Sequence, residues 1–280
     1  MRKGFDELNI SYDINLPFER IKPAEPVVVL GLGRYALQGY AQPNPIIAGI
    51  GLMTHPSEWP DLCLEFPVVK YLQHSTWTKN IYMPYFGDKC DLWPSGIDTE
   101  KWAPVVGASK TFDVLVYNKI MWDKQTGDQQ LRLPILKKLQ ELGLSYHEIT
   151  YGEYTEAEYL SLLNQSAAMI FLCEHESQGF ACCEALSMNV PVFAWDQGFW
   201  LDPLRFEGND PLIPATSIPF FDERCGNSFK NFEDFDNKID KFLQKVNELR
   251  YSPREYVIEN LTLKKSARRM LEIIKEVYNN

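Results

Sequence analysis

Long apolar runs are missing from this sequence of 280 residues, and their absence argues against a protein that crosses a membrane. No stretch of about eighteen uninterrupted apolar residues is present, so no transmembrane helix is predicted. The opening segment, MRKGFDELNISYDINLPFER, lacks the apolar core of a signal peptide. The six cysteines show no paired framework, and a chain of this length does not need disulfides. We therefore expect a protein of the reducing cytoplasm.

Positive charge is also scarce. The chain has 28 Lys and Arg against 38 Asp and Glu, a formal net charge of −10. This balance argues against a broad basic face for nucleic acid, so an anionic ligand would need local lysines, arginines or helix N-termini. The apolar content of 45% suits a soluble protein with a core, and the length suits two domains.

Strands and helices alternate between about residues 110 and 200, with short connections. The predicted strands are runs of apolar residues, and the predicted helices have one apolar face. The strands are expected at 112–117, 145–150, 167–173 and 190–196, and the helices at 131–144, 155–166 and 180–188. This order predicts a parallel, doubly wound sheet. Ligands of such sheets bind beyond the carboxyl ends of the strands, which makes residues 174–179 a candidate binding loop.

The two ends of the chain contain further elements. Strands are expected at 26–33 and 45–53, a strand followed by a helix at 68–87, and helices around 232–246 and at 253–278. Residues 92–104 are rich in Pro, Gly and Asp and are typical of an inter-domain linker. We expect an amino-terminal domain at 1–105, a second domain at 106–252, and carboxyl-terminal helices at 253–280 that pack back across the domains.

Residues 173–186, CEHESQGFACCEAL, combine acids, cysteines and a histidine. One interpretation is a metal site made of Cys173, His175, Cys182 and Cys183. Neighbouring strand residues point to opposite faces, adjacent helix residues point about 100° apart, and no C-x2-C pair is present. We therefore interpret the cysteines as small apolar groups that pack a helix against the sheet, and expect no metal.

The acids of this stretch indicate a different chemistry. With a helix that begins near Phe180, Glu184 lies in its first two turns and Glu176 in the loop before it. Both carboxylates can then face one space. Backbone N–H groups around Gly179, Phe180 and Ala181 would point there with the positive end of the helix dipole, as a phosphate site requires. A carboxylate further along the helix can accept two hydrogen bonds from a diol such as ribose.

The sequence here resembles a known family. ESQGFACCEAL followed by NVPVFAWD is similar to the E-x(7)-E signature of retaining glycosyltransferases with the GT-B fold, of the family 4 or group 1 type. LWPSGIDTEKW resembles their P-N-G-[VI]-D segment, and VYNKIMWDK stands where they have Gly-Arg and, five residues later, Lys. YGEYTEAEYLSLLNQSAAMIFL resembles the turn, helix and strand before the acidic motif. The resemblance covers roughly residues 70–200 and implies an α/β protein with two Rossmann-like domains facing a cleft.

The resemblance implies a role for each matching residue. Glu176 would bind the donor sugar and stabilise charge at its anomeric carbon, and Glu184 would hold the ribose. Lys119 and Lys124 would neutralise the donor diphosphate, and the Gly152 loop would lie against the base. Further donor contacts would come from Ser177, Gln178, Gly179, Phe180 and Ala181. Such enzymes need no metal or other cofactor, because the lysines and the helix N-terminus replace a divalent cation.

Some positions depart from the family pattern. Asn118-Lys119 replaces Gly-Arg, which removes a planar bidentate donor. The amino-terminal domain is shorter than is usual, so either the acceptor domain is reduced or the sequence starts late. His55, after a predicted strand, resembles the family's active-site histidine and is a second candidate catalytic residue. A structural role is the alternative for His55, and a solvated surface position is the alternative for the two lysines.

These observations predict a glycosyltransferase that moves a sugar from a nucleoside-diphosphate sugar to an acceptor hydroxyl, as in glycan or polysaccharide biosynthesis. The acceptor would be a glycan, a lipid-linked molecule or a small molecule. Peripheral association with the inner membrane face is compatible with such an acceptor, and no nucleic-acid partner is expected. A nucleotide-sugar epimerase of the same fold and a catalytically inactive nucleotide-sugar-binding subunit are the alternatives.

Overall fold

The computed structural model describes residues 1–202 and 212–278, and the chain divides into two compact units. Unit 1 consists of Met1–Gly96 and Leu263–Asn280, and unit 2 of Ile97–Thr262. The first division lies inside the predicted linker at 92–104, and the second lies inside the predicted carboxyl-terminal segment. Residues 203–211 of the predicted second domain and residues 279–280 of that segment lie outside the described residues.

Two parallel sheets form the centres of the two units. In unit 1 the strand order is β1-β2-β3-β4, and in unit 2 it is β6-β5-β7-β8-β9. Every pairing is parallel. The strands are β1 Val27–Leu30, β2 Ile46–Gly49, β3 Val68–Gln73, β4 Cys90–Leu92, β5 Phe112–Lys119, β6 Tyr146–Thr150, β7 Ser166–Cys173, β8 Val192–Trp195 and β9 Gly226–Phe229.

The described residues contain ten α-helices, and most of them connect or cover these strands. They are α1 Arg2–Glu7, α2 Leu62–Glu65, α3 Thr76–Phe86, α4 Lys124–Gly127, α5 Leu133–Glu141, α6 Glu156–Gln165, α7 Phe180–Ser187, α8 Phe232–Asn247, α9 Pro253–Asn260 and α10 Leu263–Tyr278. No helix in this part of the chain is both long enough and apolar enough to cross a membrane.

The sheet of unit 2 is doubly wound, as the sequence predicts. Alternate residues of β5 point to opposite faces: Leu115 and Tyr117 join one buried cluster, and Val114 and Val116 join the other. The first face packs against α6, α7 and α9, and the second against α5 and α8. Because both faces are covered, the central strands are apolar along almost their whole length.

Unit 1 has the same two-sided construction. Ile46 and Ala48 of β2 lie in a cluster with residues of α2 and α3, whereas Ile47 lies in a cluster with α1 and α10. The last helix of the chain, α10, therefore belongs to the core of unit 1, and it contacts α1 closely at Gly4. Its neighbour α9 belongs to unit 2.

The structure corrects some element boundaries. The helix expected at 131–144 is an α-helix only at Leu133–Glu141, and it follows a π-helical turn at Asp128–Arg132. Pro134 lies in its first turn, where a missing N–H group is tolerated. The short strands β4 and β9 and the helix α1 were not expected. Thr155 and Glu158 form a capping box at the start of α6.

Register in unit 2 brings three strand ends together. Lys119 at the end of β5 is the partner of Cys173 at the end of β7, and Asn118 is the partner of Thr150 at the end of β6. The loops that follow these strands therefore share one edge of the sheet. This is the edge at which parallel α/β sheets bind their ligands.

Candidate active site

An ion pair joins the end of β5 to the loop that follows β7. Lys119 Nζ lies 2.5 Å from Glu176 Oε1, and the two side chains are only 19% and 14% exposed. The Cys173 thiol donates to the same carboxylate oxygen, at 3.8 Å. The two residues are more than fifty positions apart in the sequence. Both were predicted from the sequence as donor-site residues.

Lys119 is held in its charged form. Burial by itself lowers the pKa of a lysine, but the charge and the hydrogen bond of Glu176 outweigh burial and raise the pKa of Lys119 above its ordinary value. The ammonium also lies 4.3 Å from the centre of the Tyr151 ring, within range of a cation–π interaction. Lys119 is therefore a fixed positive charge at the edge of the sheet.

The loop that carries Glu176 is braced by backbone contacts. The N–H group of Glu176 donates to the carbonyl of Thr216, at 2.9 Å. Asp196, just beyond β8, accepts from the Thr216 hydroxyl at 2.8 Å and from the Ser217 N–H group at 3.2 Å. His175 contacts the Leu201 carbonyl through Nε2, at 2.9 Å. These bonds hold the backbone at Glu176 against the segment at Thr216, which Asp196 holds in turn.

Glu174, the first acid of the same stretch, has a positioning role that sequence reasoning missed. It is 2% exposed, and its Oε1 accepts from the N–H groups of Met121 and Trp122, at 2.9 and 3.1 Å. The loop between β5 and α4, which begins at Lys119 and ends at Lys124, is thereby tied to the end of β7. The sequence feature that could have identified Glu174 is an acidic residue directly after a predicted apolar strand.

The start of α7 is shaped by Gly179. This residue is left-handed, with φ 70° and ψ 54°, and no side chain among the described residues caps the helix. An added Cβ would meet Glu176 Cβ at 3.5 Å, an ordinary contact, so the backbone angle and not space favours glycine here. The N-terminus of α7 directly follows the Glu176 loop, as expected, with the positive end of its dipole at the same edge.

Glu184 has the opposite environment to Glu176. Its carboxylate makes no hydrogen bond or ion pair with any residue that the structure describes. Burial raises the pKa of Glu184 to about 8, with a smaller upward effect from Glu156 and a downward effect from Lys101. Lys101 is itself ion-paired with Glu156 at the start of α6. Glu184 is therefore a partly buried carboxyl group whose hydrogen-bonding capacity no described residue uses.

The other predicted donor contacts are placed as follows. Gly152, with φ 84°, forms the exposed turn after β6, next to Tyr151. Ser177 and Phe180 are exposed, Ala181 is partly buried and Gln178 is 2% exposed. All five lie at the ligand-binding edge of unit 2, and their contacts with a donor stay predictions.

Lys124 differs from Lys119. It is the first residue of α4, it is exposed, and its side chain makes no hydrogen bond or ion pair with the described residues. Asp123 before it caps α4 by accepting from the Thr126 N–H group. The same role, neutralisation of the donor diphosphate, was predicted for both lysines. In the structure Lys119 forms an ion pair with the acidic motif, and Lys124 does not.

The two histidines of unit 1, His55 and His74, lie in different environments. His55 caps the short 3-10 helix Pro56–Glu58: its Nδ1 accepts from the Ser57 N–H group at 3.3 Å and lies 2.7 Å from the Ser57 hydroxyl. His74 instead follows β3 directly and is 7% exposed, and burial lowers its pKa to about 4. His74, and not His55, therefore lies at the end of a strand, where an active-site histidine was expected. A catalytic role of His55 stays a prediction.

The cysteines of the acidic stretch are core residues. Cys173, Cys182 and Cys183 lie in the buried cluster between the sheet and α7, and burial raises the pKa of all three thiols. No group of three or more His, Cys, Asp or Glu residues within 1–202 and 212–278 is arranged to hold a metal ion. The packing role predicted for Cys182 and Cys183 agrees with their burial.

Comparison with solved structures decides the fold. Sucrose-phosphate synthase from Thermosynechococcus elongatus matches with a TM-score of 0.52 at 14% identity, over 84% of this chain and 68% of that chain. The lipopolysaccharide outer core galactosyltransferase WaaB matches with 0.57 at 10% identity, over 90% and 76%. The fold is GT-B. The pneumococcal O-GlcNAc transferase GtfA, in complex with UDP and GlcNAc, matches with 0.53 at 13% identity, over 88% and 55%.

The likeness is structural and distant. No protein-family model matches the sequence, and no curated protein does. This GT-B chain spans only 55% of the pneumococcal protein and 76% of the galactosyltransferase. The shared architecture confirms the expected α/β fold with two parallel sheets, one in each Rossmann-like unit.

Proposed function

We propose that this chain is a retaining, metal-independent glycosyltransferase that moves a sugar from a nucleoside-diphosphate sugar to an acceptor hydroxyl. The observation that carries the proposal is the Lys119–Glu176 pair at the ligand-binding edge of unit 2, beside the uncapped start of α7. A cation and a helix N-terminus are what a diphosphate needs. The Glu176 carboxylate beside Lys119 supports a contact with the donor sugar.

Each group has a distinct task in the proposed reaction. Lys119 and the N–H groups at the start of α7 neutralise the leaving diphosphate, and Lys124 adds a second positive charge from its exposed position. Glu176 accepts hydrogen bonds from the donor sugar and stabilises positive charge at the anomeric carbon. Glu184 accepts hydrogen bonds from the ribose. The Gly152 turn lies against the base.

The bond changes follow a front-face route. The bond between the anomeric carbon and the diphosphate oxygen breaks, and its electron pair stays on the diphosphate. The acceptor hydroxyl oxygen attacks the oxocarbenium-like carbon from the same face. Its proton passes to the departing diphosphate oxygen, so no protein nucleophile is required and the anomeric configuration is retained.

Relatives of this fold guide the choice of donor for a first test. GtfA was solved with UDP and GlcNAc, and TarM with UDP and α-GlcNAc-glycerol. UDP-GlcNAc therefore belongs in the first panel, with other UDP-, GDP- and ADP-sugars. A tight ligand raises the melting temperature by mass action, so a thermal-shift screen of the full chain identifies the donor.

The decisive experiment is a turnover assay with the donor found in that screen and a panel of glycan, lipid-linked and small-molecule acceptors. We expect release of nucleoside diphosphate together with a product whose anomeric configuration, read by NMR, is that of the donor. Interconversion of donor sugars without an acceptor would instead identify an epimerase. Donor binding without turnover for every acceptor would identify a binding subunit, and either result would overturn the proposal.

A further inference from the structure

Two tyrosine hydroxyl groups form a pair next to the candidate site. Tyr117 belongs to β5, Tyr154 directly precedes the capping residue of α6, and their oxygens are 2.7 Å apart. Tyr117 is 1% exposed, whereas Tyr154 is partly buried. Nothing in the proposed function uses either residue.

The burial of Tyr117 decides the direction of this hydrogen bond. The hydroxyl of Tyr154 is the partner that the structure gives to the Tyr117 hydroxyl within the described residues. If Tyr117 only accepted, its own buried O–H group would be left without an acceptor, which is costly. Tyr117 therefore donates and Tyr154 accepts. The proton of the Tyr154 hydroxyl then has no acceptor among the described residues and is available to a ligand.

The position of the Tyr154 ring is fixed from two sides. Its centroid lies 5.8 Å from that of Tyr117 and 5.4 Å from that of Tyr159. Tyr159 in turn donates its hydroxyl proton to the carbonyl of Ala181, in the first turn of α7, at 2.6 Å. The ring is therefore positioned relative to the helix that carries Glu184.

The charges around Tyr154 are those of the candidate site. Burial raises the pKa of Tyr154 and the hydrogen bond from Tyr117 lowers it; the charge of Glu184 adds to the rise, and the charge of Lys119 opposes it. Both groups are therefore within electrostatic reach of the hydroxyl. One of them, Glu184, keeps acceptor oxygens in both of its protonation states, so it can accept a hydroxyl proton, whereas the Tyr154 hydroxyl can offer a proton to a hydroxyl oxygen.

We propose that the Tyr154 hydroxyl is a further donor-binding group, which donates a hydrogen bond to a ribose hydroxyl oxygen of the nucleotide while Glu184 accepts from the ribose. This inference rests on the proposed function, because it assigns a residue to the same nucleotide. A ribose hydroxyl would then donate a hydrogen bond to Glu184 and accept one from Tyr154. A deoxyribose at that carbon can satisfy neither.

The test uses Tyr154→Phe, which removes one oxygen atom and keeps the ring. Affinities of the full chain are measured by titration calorimetry for whichever of UDP, GDP and ADP binds tightest, and for its 2′-deoxy and 3′-deoxy analogues. We expect Y154F to bind the ribonucleotide about five- to tenfold more weakly, the value of one neutral hydrogen bond. At least one deoxy analogue should bind the wild type and Y154F equally.

Tyr117→Phe is the matched control. It removes the other oxygen of the same pair and leaves the Tyr154 proton available, so the ratio of ribonucleotide to deoxynucleotide affinity should stay as in the wild type. This ratio is determined separately for each variant, so a variant with lower overall stability can still be compared with the wild type. Thermal unfolding measures the stability of each variant.

The outcomes separate this inference from the proposed function. If the wild type binds the nucleotide and Y154F binds it equally well, the role of Tyr154 is overturned and the proposed function stands. An equal loss for the ribonucleotide and both deoxy analogues also overturns the ribose contact. If no nucleotide or nucleotide sugar binds the wild type, the proposed function fails, and the inference fails with it.

Discussion

Glu176 and Glu184 have the same side chain but opposite environments. Glu176 lies in a loop, whereas Glu184 lies in a turn of a helix. Glu176 is paired with Lys119 at 2.5 Å, and its backbone is braced by Thr216. Glu184 lies in a helix, makes no side-chain bond with the described residues, and has its pKa raised to about 8 by burial. One carboxylate is held in an ion pair, whereas the other has a raised pKa and makes no side-chain bond with the described residues.

This difference suggests different tasks for the two residues. A fixed charge needs little reorganisation when charge develops in a reaction, which is the condition for transition-state stabilisation. A carboxyl group with unused hydrogen-bonding capacity is better suited to binding, because a ligand can supply what the protein does not. We therefore assign turnover to Glu176 and donor affinity to Glu184, and the predictions below test this division.

The largest effect is expected from Glu176→Gln, which keeps the shape of the side chain and removes its charge. We expect kcat to fall by about 10²–10³-fold, the usual effect of losing one preorganised electrostatic group. The KM for the donor should change much less. Steady-state kinetics with the donor identified above measure both. Glu141→Gln, at an exposed residue of α5, is the control and should match the wild type. An unchanged kcat in E176Q would remove Glu176 from the mechanism.

Glu184→Ala should act on affinity instead. The two hydrogen bonds proposed between the ribose and Glu184 contribute about 0.5–1.5 kcal/mol each, so we expect the donor nucleotide to bind about 5- to 100-fold more weakly. Titration calorimetry gives the affinity, and single-turnover kinetics at saturating donor should show a rate close to that of the wild type. If E184A instead lowers the single-turnover rate and leaves the affinity intact, the roles of the two glutamates are reversed.

The ion pair itself is tested by stability. Lys119→Met leaves Glu176 as a largely buried charge without its partner, and we expect a loss of about 2–3 kcal/mol in the free energy of unfolding. The double variant K119M/E176Q should recover most of this loss, because no unpaired charge remains. Urea denaturation of the two single variants and the double variant forms the cycle. Lys124→Met, at an exposed position, should cost less than about 0.5 kcal/mol. Additive losses in the cycle would argue that the pair contributes nothing in solution.

Much of the fold could be predicted from the sequence because the central strands are buried on both faces. Continuous apolar runs such as 112–117 and 167–173 are readable without knowing their neighbours. The strands that escaped prediction are short, and β9 reads GNSF, with only one apolar residue. Its position in the sheet comes from pairing with β8, which is a tertiary effect.

The candidate site was predictable in its residues and not in their contacts. Motif spacing singled out Lys119, Glu176 and Glu184, but the Lys119–Glu176 contact depends on β5 lying beside β7, which spacing along the chain does not specify. The raised pKa of Glu184 depends on burial by the rest of unit 2. His74 was passed over because QHS after a strand has no local feature that distinguishes it from THP at His55.

A further effect, which needs no ligand, is the pH dependence that Glu184 gives to stability. Its pKa is about 8 in the folded protein and 4.5 ordinarily, so between these values the folded chain holds a proton that the unfolded chain has lost. The stabilisation from this proton is complete below about pH 4.5 and is lost as the pH rises through 8. Glu184→Gln does not ionise and should not show the loss.

The ligand-free melting temperature of E184Q should therefore rise relative to that of the wild type between pH 5 and pH 9. We expect a relative gain of about 8–16 °C at most, since about three pH units below the folded pKa correspond to about 4 kcal/mol and about 1 kcal/mol corresponds to about 2–4 °C in a protein of this size. Glu141→Gln, whose carboxylate is exposed, should keep a constant offset over the same range. A constant offset for E184Q as well would mean that Glu184 ionises at an ordinary pKa. The contrast between the two glutamates would then be one of hydrogen bonding alone, and not of charge.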